Sequence, residues 1–387
     1  MTFKIIRSIK KHISSRTRGE LEDFNRSIVF LNVTNLDYPR NKALRAVFER
    51  AGWDVSVVAR RDGISYPIRC VHILLDGLRS TKRKSVVVMS EFGNSYSWVS
   101  KLVCICTRSV HVVDGFIGMY ETHVEDRATY SKFSLPSIFY KLSDYVSISF
   151  SDLYLIDTEV RSAAIQSKYP KARVLSIPVG SPSWDISAEW RKDPGLIRIL
   201  YYGNYTRLHS VESLLVQLPQ VRLKAKISLT LIGDLDLAPH IKPLISDLQL
   251  DDCVEFIGKV RQDDLPLYIE RSDVVVGIFG VSNKAQSVIA NKVWQGLCCG
   301  RYVITQESIA LDEIRKIAGP LLRTICRPGS DEIGDILVEI AGGPPPGQSV
   351  VDNISKSLST YALEGQSNLV AEVSALCVLP RKTLRAH

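Results

Sequence analysis

Short apolar runs alternate with segments of helical spacing along most of the chain. Residues 27–33 form an apolar run that predicts a buried strand, and 34–40 a polar loop. An amphipathic helix follows from about Asn41 to Ala51, stopped at Gly52, and 53–59 is the next strand. A βαβ opening of this kind builds a parallel sheet with helices on its faces. Further apolar runs at 71–75, 85–89, 103–106 and 111–113 fit strands. Residues 137–157 read as a helix and then a strand ending at Asp157-Thr158, followed by a helix to about Tyr169 and a strand at 173–178.

Residues 181–196, with Pro182, Pro194 and Gly195, lack periodicity and predict a linker. The pattern then restarts. Strands are expected at 197–202, 227–232, 254–256, 273–279 and 302–305, and helices at 211–218, 238–248, 265–271 and 291–299. A Gly/Pro-rich stretch at 342–347 precedes a last polar helix and a basic tail. The expected class is α/β, with two Rossmann-like domains facing across a cleft. The expected division is a basic amphipathic segment at 1–20, a first domain at 21–185, a second at 186–360, and a helix with a basic tail at 361–387. Open α/β sheets bind ligands beyond the carboxyl ends of their strands, so facing domains suit a large anionic ligand of two parts.

Charge and composition narrow the partners. The 387 residues include 49 Lys plus Arg and 41 Asp plus Glu, a net charge of +8, which favours an anionic partner. No apolar run reaches the ~18 residues of a membrane span, and the N-terminus has no signal-peptide core. Residues 1–18 place Phe3, Ile6, Ile9 and Ile13 near helical spacing among six Lys and Arg. They read either as a helix on anionic lipid headgroups or as a solvated tail. Arg60-Arg61 and the Arg79, Lys82, Arg83, Lys84 cluster leave the same pair of readings. Eight cysteines without a CxxC pair or metal spacing predict reduced thiols in a cytoplasm. No nucleic-acid motif is present, so nucleic acid is not an expected partner.

Residues 254–305 hold the densest candidate chemistry. A strand ends in Gly277-Ile-Phe-Gly280, a polar loop carries Lys284, and a helix starts near Asn291-Lys292. Backbone N–H groups and the dipole at that helix start favour a phosphate, and the two lysines add charge.

In order along the chain, Leu200-Tyr-Tyr-Gly203 with Leu208-His-Ser-Val-Glu212, Leu229-Thr-Leu-Ile-Gly233, Val254-Glu-Phe-Ile-Gly258, Leu265-Pro-Leu-Tyr-Ile269 and Asn291-Lys-Val-Trp-Gln-Gly-Leu-Cys-Cys-Gly300 resemble the donor domain of GT-B glycosyltransferases, most closely the retaining family 4 of bacterial polysaccharide and lipopolysaccharide enzymes. Tyr120-Glu-Thr-His-Val-Glu-Asp-Arg127, Asp157-Thr158 and Ile177-Pro-Val-Gly180 extend the resemblance toward the N-terminus. It implies metal-independent transfer, without a cofactor, from a nucleotide-diphosphate sugar to a glycan or lipid-linked acceptor. The basic N-terminus and surface clusters add an anionic membrane surface as a further candidate partner, and with the reduced cysteines they place the protein in a cytoplasm, peripheral at the inner face of a membrane.

The resemblance assigns Gly203, Asn204, His209, Gly233, Lys284, Asn291, Lys292 and Gln295 to the donor, and Glu121, His123, Asp126 and Arg127 to the catalytic side, where a carboxylate or imidazole orients the acceptor hydroxyl. The chain departs from the family where Gln295 and Ser287 stand in place of carboxylates, Asn204 of an arginine, His209 of a lysine and Ala290 of a proline. The alternatives are a non-catalytic GT-B-like subunit and an epimerase of the UDP-N-acetylglucosamine 2-epimerase type.

Overall fold

The computed structural model describes residues 24–126, 129–181, 184, 190, 193–327 and 330–378. The segment 1–20, Arg127 and the basic tail therefore lie outside the described residues, wholly or in part. The chain divides into two compact units. One runs to Pro178 and resumes at Leu363; the other is Val179–Ala362.

The first unit contains β1 (Ser27–Val33), α1 (Pro39–Arg50), β2 (Asp54–Ala59), α2 (Tyr66–Ser80), β3 (Val86–Met89), α3 (Ser97–Thr107), β4 (Val110–Asp114), a π-helical turn (Glu121–Asp126), α4 (Leu135–Phe150), β5 (Leu153–Ile156), α5 (Glu159–Lys168) and β6 (Val174–Ser176). Its six strands are parallel in the order β2-β1-β3-β4-β5-β6. β1, β3 and β5 are buried along their whole length, which is why they read as continuous apolar runs.

The second unit contains β7 (Leu196–Tyr202), α6 (Glu212–Leu215), α7 (Leu218–Arg222), β8 (Lys226–Ile232), α8 (Ile241–Asp247), β9 (Val254–Ile257), α9 (Leu265–Glu270), β10 (Val274–Val276), α10 (Asn283–Ser287), α11 (Asn291–Cys298), β11 (Tyr302–Gln306), α12 (Asp312–Ala318), β12 (Leu322–Ile325) and α13 (Glu332–Gly342). The order β12-β11-β10-β7-β8-β9 is again wholly parallel and is the Rossmann order, with its first strand central. α14 (Gln348–Val378) begins in this unit and ends in the first, where Leu369, Val370, Val373 and Leu376 join the β1 core. Both sheets are thus Rossmann-like.

Two expected strands are helices. Residues 71–75 belong to α2 and 103–106 to α3. Each run is apolar on the side facing the sheet and also on the side facing outward, so helical periodicity is erased and a buried strand is mimicked. The expected helix over 211–218 is two short ones, α6 and α7, and the loop carrying Lys284 is the short helix α10, capped by the Ser282 hydroxyl accepting from the Ala285 N–H at 3.3 Å. None of the eight cysteines is in a disulfide. Among the described residues no helix is long and apolar enough to cross a membrane.

Candidate functional site in each unit

In the second unit the sheet order reverses direction between β7 and β10, and a Rossmann sheet opens its ligand crevice at that point. Two loops line it. The loop after β7 starts at Gly203, whose φ of 125° lies where other residues are strained. Gly233, after β8, touches it so closely that a Cβ there would lie 2.3 Å from the Gly203 carbonyl oxygen. Gly280, after β10, closes the other side: a Cβ would lie 2.7 Å from the Leu208 carbonyl oxygen, and its N–H donates to that same oxygen at 3.0 Å. The Phe279 N–H donates to the His209 carbonyl at 3.1 Å. Glycines therefore clamp the loop that carries His209.

The His209 and Lys292 side chains meet over Gly203. A Cβ on Gly203 would be 3.4 Å from the His209 ring and 3.8 Å from the Lys292 Nζ. Lys292, on the first turn of α11, is buried at 4% exposure, and its Nζ has no hydrogen-bond partner. The amine sits 4.0 Å from the Tyr201 ring centroid and 5.8 Å from that of Tyr202. Burial lowers its pKa from 10.5 to about 7. The His209 pKa is driven well below 6.5 by burial and by the neighbouring Lys292 and Lys284 charges. Its Nδ1 lies against the Asn204 carbonyl oxygen, which can only accept, so Nδ1 carries the proton. The Tyr201 hydroxyl donates to the same carbonyl at 2.7 Å.

The sequence-derived donor residues divide accordingly. Gly203, Asn204, His209, Gly233, Lys284 and Lys292 come together around one loop. Asn291 begins α11 with its Oδ1 buried and unpartnered. Gln295 is buried one turn further on, and its Oε1 accepts from the Tyr202 hydroxyl at 2.7 Å. The Ser287 hydroxyl donates to the Lys284 carbonyl at 3.2 Å. Gly296 lets α11 lie on the sheet, since a Cβ would meet Val303 at 2.7 Å and Val275 at 3.0 Å. Sequence reasoning missed Tyr201 and Tyr202. The available signal was an aromatic pair at a strand end, whose members must point to opposite faces.

In the first unit polar side chains gather where strands end. Glu91, just beyond β3, is buried; its Oε1 accepts from Thr34 and from Asn41, each at 2.8 Å, while Oε2 has no partner. Burial first, then the Asp114 charge, raises its pKa from 4.5 to about 7. Asp114, at the end of β4, is paired with buried Arg40 at 2.9 Å. Arg40 also donates to the carbonyls of Ile177 at 2.7 Å and Ile156 at 3.2 Å, tying strand ends together.

Glu121, His123 and Asp126 share the π-helical turn, a geometry frequent at functional sites. The Glu121 Oε2 is 2.6 Å from the Arg161 Nη2, and Arg161 also holds Asp157 at 3.0 Å. His123 stacks on Tyr140, with centroids 4.8 Å apart and planes at 16°. Asp126 is buried, and Arg127 lies outside the described residues. Glu91, Arg40 and Arg161 were not found from sequence. Asp114 and Asp157 leave a visible mark, an acidic residue directly after an apolar run, and Glu91 follows one residue later.

No protein-family model matches the chain, and no curated protein sequence matches it. Its structure is similar to solved ones. HepE of Anabaena, in complex with UDP and glucose, superposes with a TM-score of 0.63 at 14% identity, covering 90% of this chain and 99% of that one. A glycosyltransferase from Rickettsia africae gives 0.62 at 12% identity, covering 92% and 99%. A Listeria monocytogenes protein assigned as a UDP-N-acetylglucosamine 2-epimerase gives 0.56 at 11%, covering 92% and 98%. With two six-stranded parallel sheets of Rossmann type, the chain has the fold of the GT-B glycosyltransferases.

Proposed function

We propose that the protein transfers a sugar from a nucleoside-diphosphate donor to a glycan or lipid-linked acceptor in polysaccharide or glycolipid synthesis, with retention at the anomeric carbon and without a metal. The observation that carries this reading is the buried, unpartnered Lys292 amine beside the bare backbone of Gly203. A buried amine without an acceptor is unfavourable by itself, and an anion at the Gly203 loop supplies the acceptor. When the sugar–phosphate bond breaks, negative charge grows on the departing diphosphate, and a fixed cation with Lys284 and His209 nearby lowers that barrier. In the free protein Lys292 is partly deprotonated at neutral pH; an arriving diphosphate draws a proton onto it. In the first unit, the Glu121–Arg161 pair and the stacked His123 are the groups offered to position an acceptor hydroxyl.

The HepE structure holds UDP, so UDP is the first nucleotide to test. Calorimetric titration of the purified chain with UDP, GDP and ADP should show binding of at least one, and its sugar conjugate should be consumed with an acceptor extract. No binding of any at millimolar concentration would overturn the reading. One observation favours a second reading, a non-catalytic nucleotide-binding subunit. Gln295 stands where the resembling enzymes carry a carboxylate, and its buried Oε1 accepts from the Tyr202 hydroxyl, leaving at most one lone pair for a ribose. Binding without turnover of any sugar nucleotide would select that reading. Lipid contact by the basic segment 1–20 remains part of the proposal and lies outside the described residues.

A further inference from the structure

Three helices of the first unit carry an apolar surface that glycosyl transfer does not use. α2, α3 and α4 lie side by side on one face of the first sheet. Tyr66 joins them: it accepts from the Trp98 Nε1 at 3.1 Å and packs edge-on against Phe139 at 5.7 Å. Inward, the helices bury Cys70, Ile73, Val99, Val103 and Ile148 against the sheet. A surface helix then ordinarily turns polar residues outward. Here α2 exposes Ile68, Val71, Leu75 and Leu78, spaced i, i+3, i+7 and i+10. α3 exposes Trp98, Leu102 and Ile105, spaced i, i+4 and i+7. α4 is inverted: it buries Ser137, Ser143 and Ser147 and exposes Leu135, Ile138, Phe139, Leu142 and Tyr145. Phe133, just ahead of it, is 94% exposed, and Leu135 is 82%. Single exposed apolar residues are ordinary, but a contiguous face spanning three helices marks an interaction surface.

Charge selects the occupant. Arg79, Lys82, Arg83 and Arg108 are exposed where α2 and α3 run toward β3 and β4, and Lys132 and Lys141 are exposed at α4. The three helices contain two carboxylates, and neither is exposed. Asp76 is paired with Arg61 and Arg79; Asp144 accepts from Asn94 and from the N–H groups of Met119 and Tyr120. Residues 81–85, 108–109 and 129–134, which flank the helices, contain no acidic residue; ahead of α2 Asp62 is paired with Arg60 at 2.9 Å, and Lys82 is paired with Asp54 at 2.7 Å, so the net positive rim is carried by Arg79, Arg83, Arg108, Lys132 and Lys141. A second copy would set these cations against one another, and the segment 1–20, with six Lys and Arg against one Glu, would be repelled by the same rim. An apolar face rimmed by cations matches an anionic bilayer, with acyl chains under the apolar side chains and headgroups at the Lys and Arg.

We propose that the α2–α3–α4 face docks the protein on an anionic lipid bilayer, with Phe133 and Leu135 entering the acyl region. The proposal goes beyond glycosyl transfer and does not depend on it.

The full chain is floated with vesicles of phosphatidylcholine alone, or with roughly a third of the lipid as phosphatidylglycerol. Binding to the anionic vesicles should exceed binding to the neutral ones about tenfold or more, and Arg79→Gln/Arg83→Gln should remove most of that difference. Phe133→Ser/Leu135→Ser should lower partition about tenfold or more. Vesicles with brominated acyl chains should quench part of the tryptophan fluorescence, and Trp98→Phe should abolish that part. The segment 1–20 contains no tryptophan, so the part of the quenching lost in Trp98→Phe reports this face and not that segment. Absence of vesicle binding overturns the proposal, as does binding that both double variants leave unchanged. Dimerisation abolished by Phe133→Ser/Leu135→Ser, without lipid binding, assigns the face to a second copy and also overturns it. Nucleotide titration of the same variants checks their folding and reads the donor site separately.

Discussion

Replacing Lys292 by Met should stabilise the protein while removing nucleotide binding. Burial takes the Lys292 pKa from 10.5 to about 7. At ~1.4 kcal/mol for each tenfold change in proton affinity, holding the charged form in place costs roughly 5 kcal/mol. The Tyr201 ring, 4.0 Å from the amine, is the nearest group facing the cation. Below pH 7 the folded protein must carry the charge and bears that cost. Between about pH 7 and pH 10.5 the unfolded chain binds this proton and the folded chain does not, so stability rises with pH across that window. Lys292→Met should therefore unfold at higher urea than the parent at pH 6, by roughly 4–5 kcal/mol, and by less than ~1 kcal/mol at pH 10. Met fills the space of the stem, so packing changes little. Tryptophan fluorescence reads the unfolding, with Trp294 buried in the same helix. UDP affinity, by calorimetry, should fall tenfold or more. A variant less stable than the parent at pH 6, a stability difference that is the same at both pH values, or unchanged nucleotide affinity would each refute the reasoning.

Nucleotide binding by the parent should take up a proton between about pH 7.5 and 9, because a diphosphate raises the Lys292 pKa from about 7; observed binding enthalpies that do not vary with buffer ionisation enthalpy would count against it. Gly233→Ala places a Cβ 2.3 Å from a backbone carbonyl at a φ of 152°, so a loss of about 1–3 kcal/mol in stability and a tenfold loss in nucleotide affinity are expected; a variant with parental affinity would remove the Gly203–Gly233 contact from the site. Glu91→Gln keeps an oxygen for Thr34 and Asn41 and removes a carboxyl whose pKa is raised from 4.5 to about 7. The folded state holds that proton more tightly than the unfolded one, so the parent loses stability as pH rises from about 4.5 through 7. The variant should be more stable by about 2–3 kcal/mol at pH 8 and equal near pH 4.5, as denaturant midpoints will report.

Legibility in the sequence followed burial. β1, β3, β5 and β10 are apolar along their length because helices cover both faces, and pattern reading finds them. The same pattern misreads 71–75 and 103–106, since α2 and α3 are apolar toward the sheet and toward the outside. The error and the proposed docking face have one physical cause. The residues proposed for the donor site were legible as an ordered string of motifs, yet nothing in that string showed that Lys292 is buried against Tyr201, or that the Gln295 side chain turns to Tyr202. Those facts depend on how α11 lies on the sheet, which Gly296 sets through contact with Val303 and Val275. Arg40 and the Arg161–Glu121 pair were missed because the residues concerned lie far apart in sequence, Arg40 with Asp114 and Arg161 with Glu121.

Two departures in the donor motif offset one another. Asn204 removes a cation where the resembling enzymes carry arginine, and Gln295 removes an anion where they carry glutamate. Lys292 and Gln295 stand three apart on α11, the spacing at which side chains on a helix meet, and both lie against Tyr202. A glutamate at 295 would be a natural ion-pair partner for Lys292. The neutral amide leaves that amine without an anionic partner, and in the proposed donor site it would supply the cation that position 204 lacks. Gln295→Glu should then pair with Lys292, hold it protonated through pH 9 and abolish proton uptake on nucleotide binding. Affinity for a diphosphate should drop severalfold, because the cation it seeks is already neutralised. Buffer-dependent calorimetry at pH 8.5 on Gln295→Glu and parent decides the matter: equal proton uptake in the two would show that residue 295 does not govern the Lys292 charge.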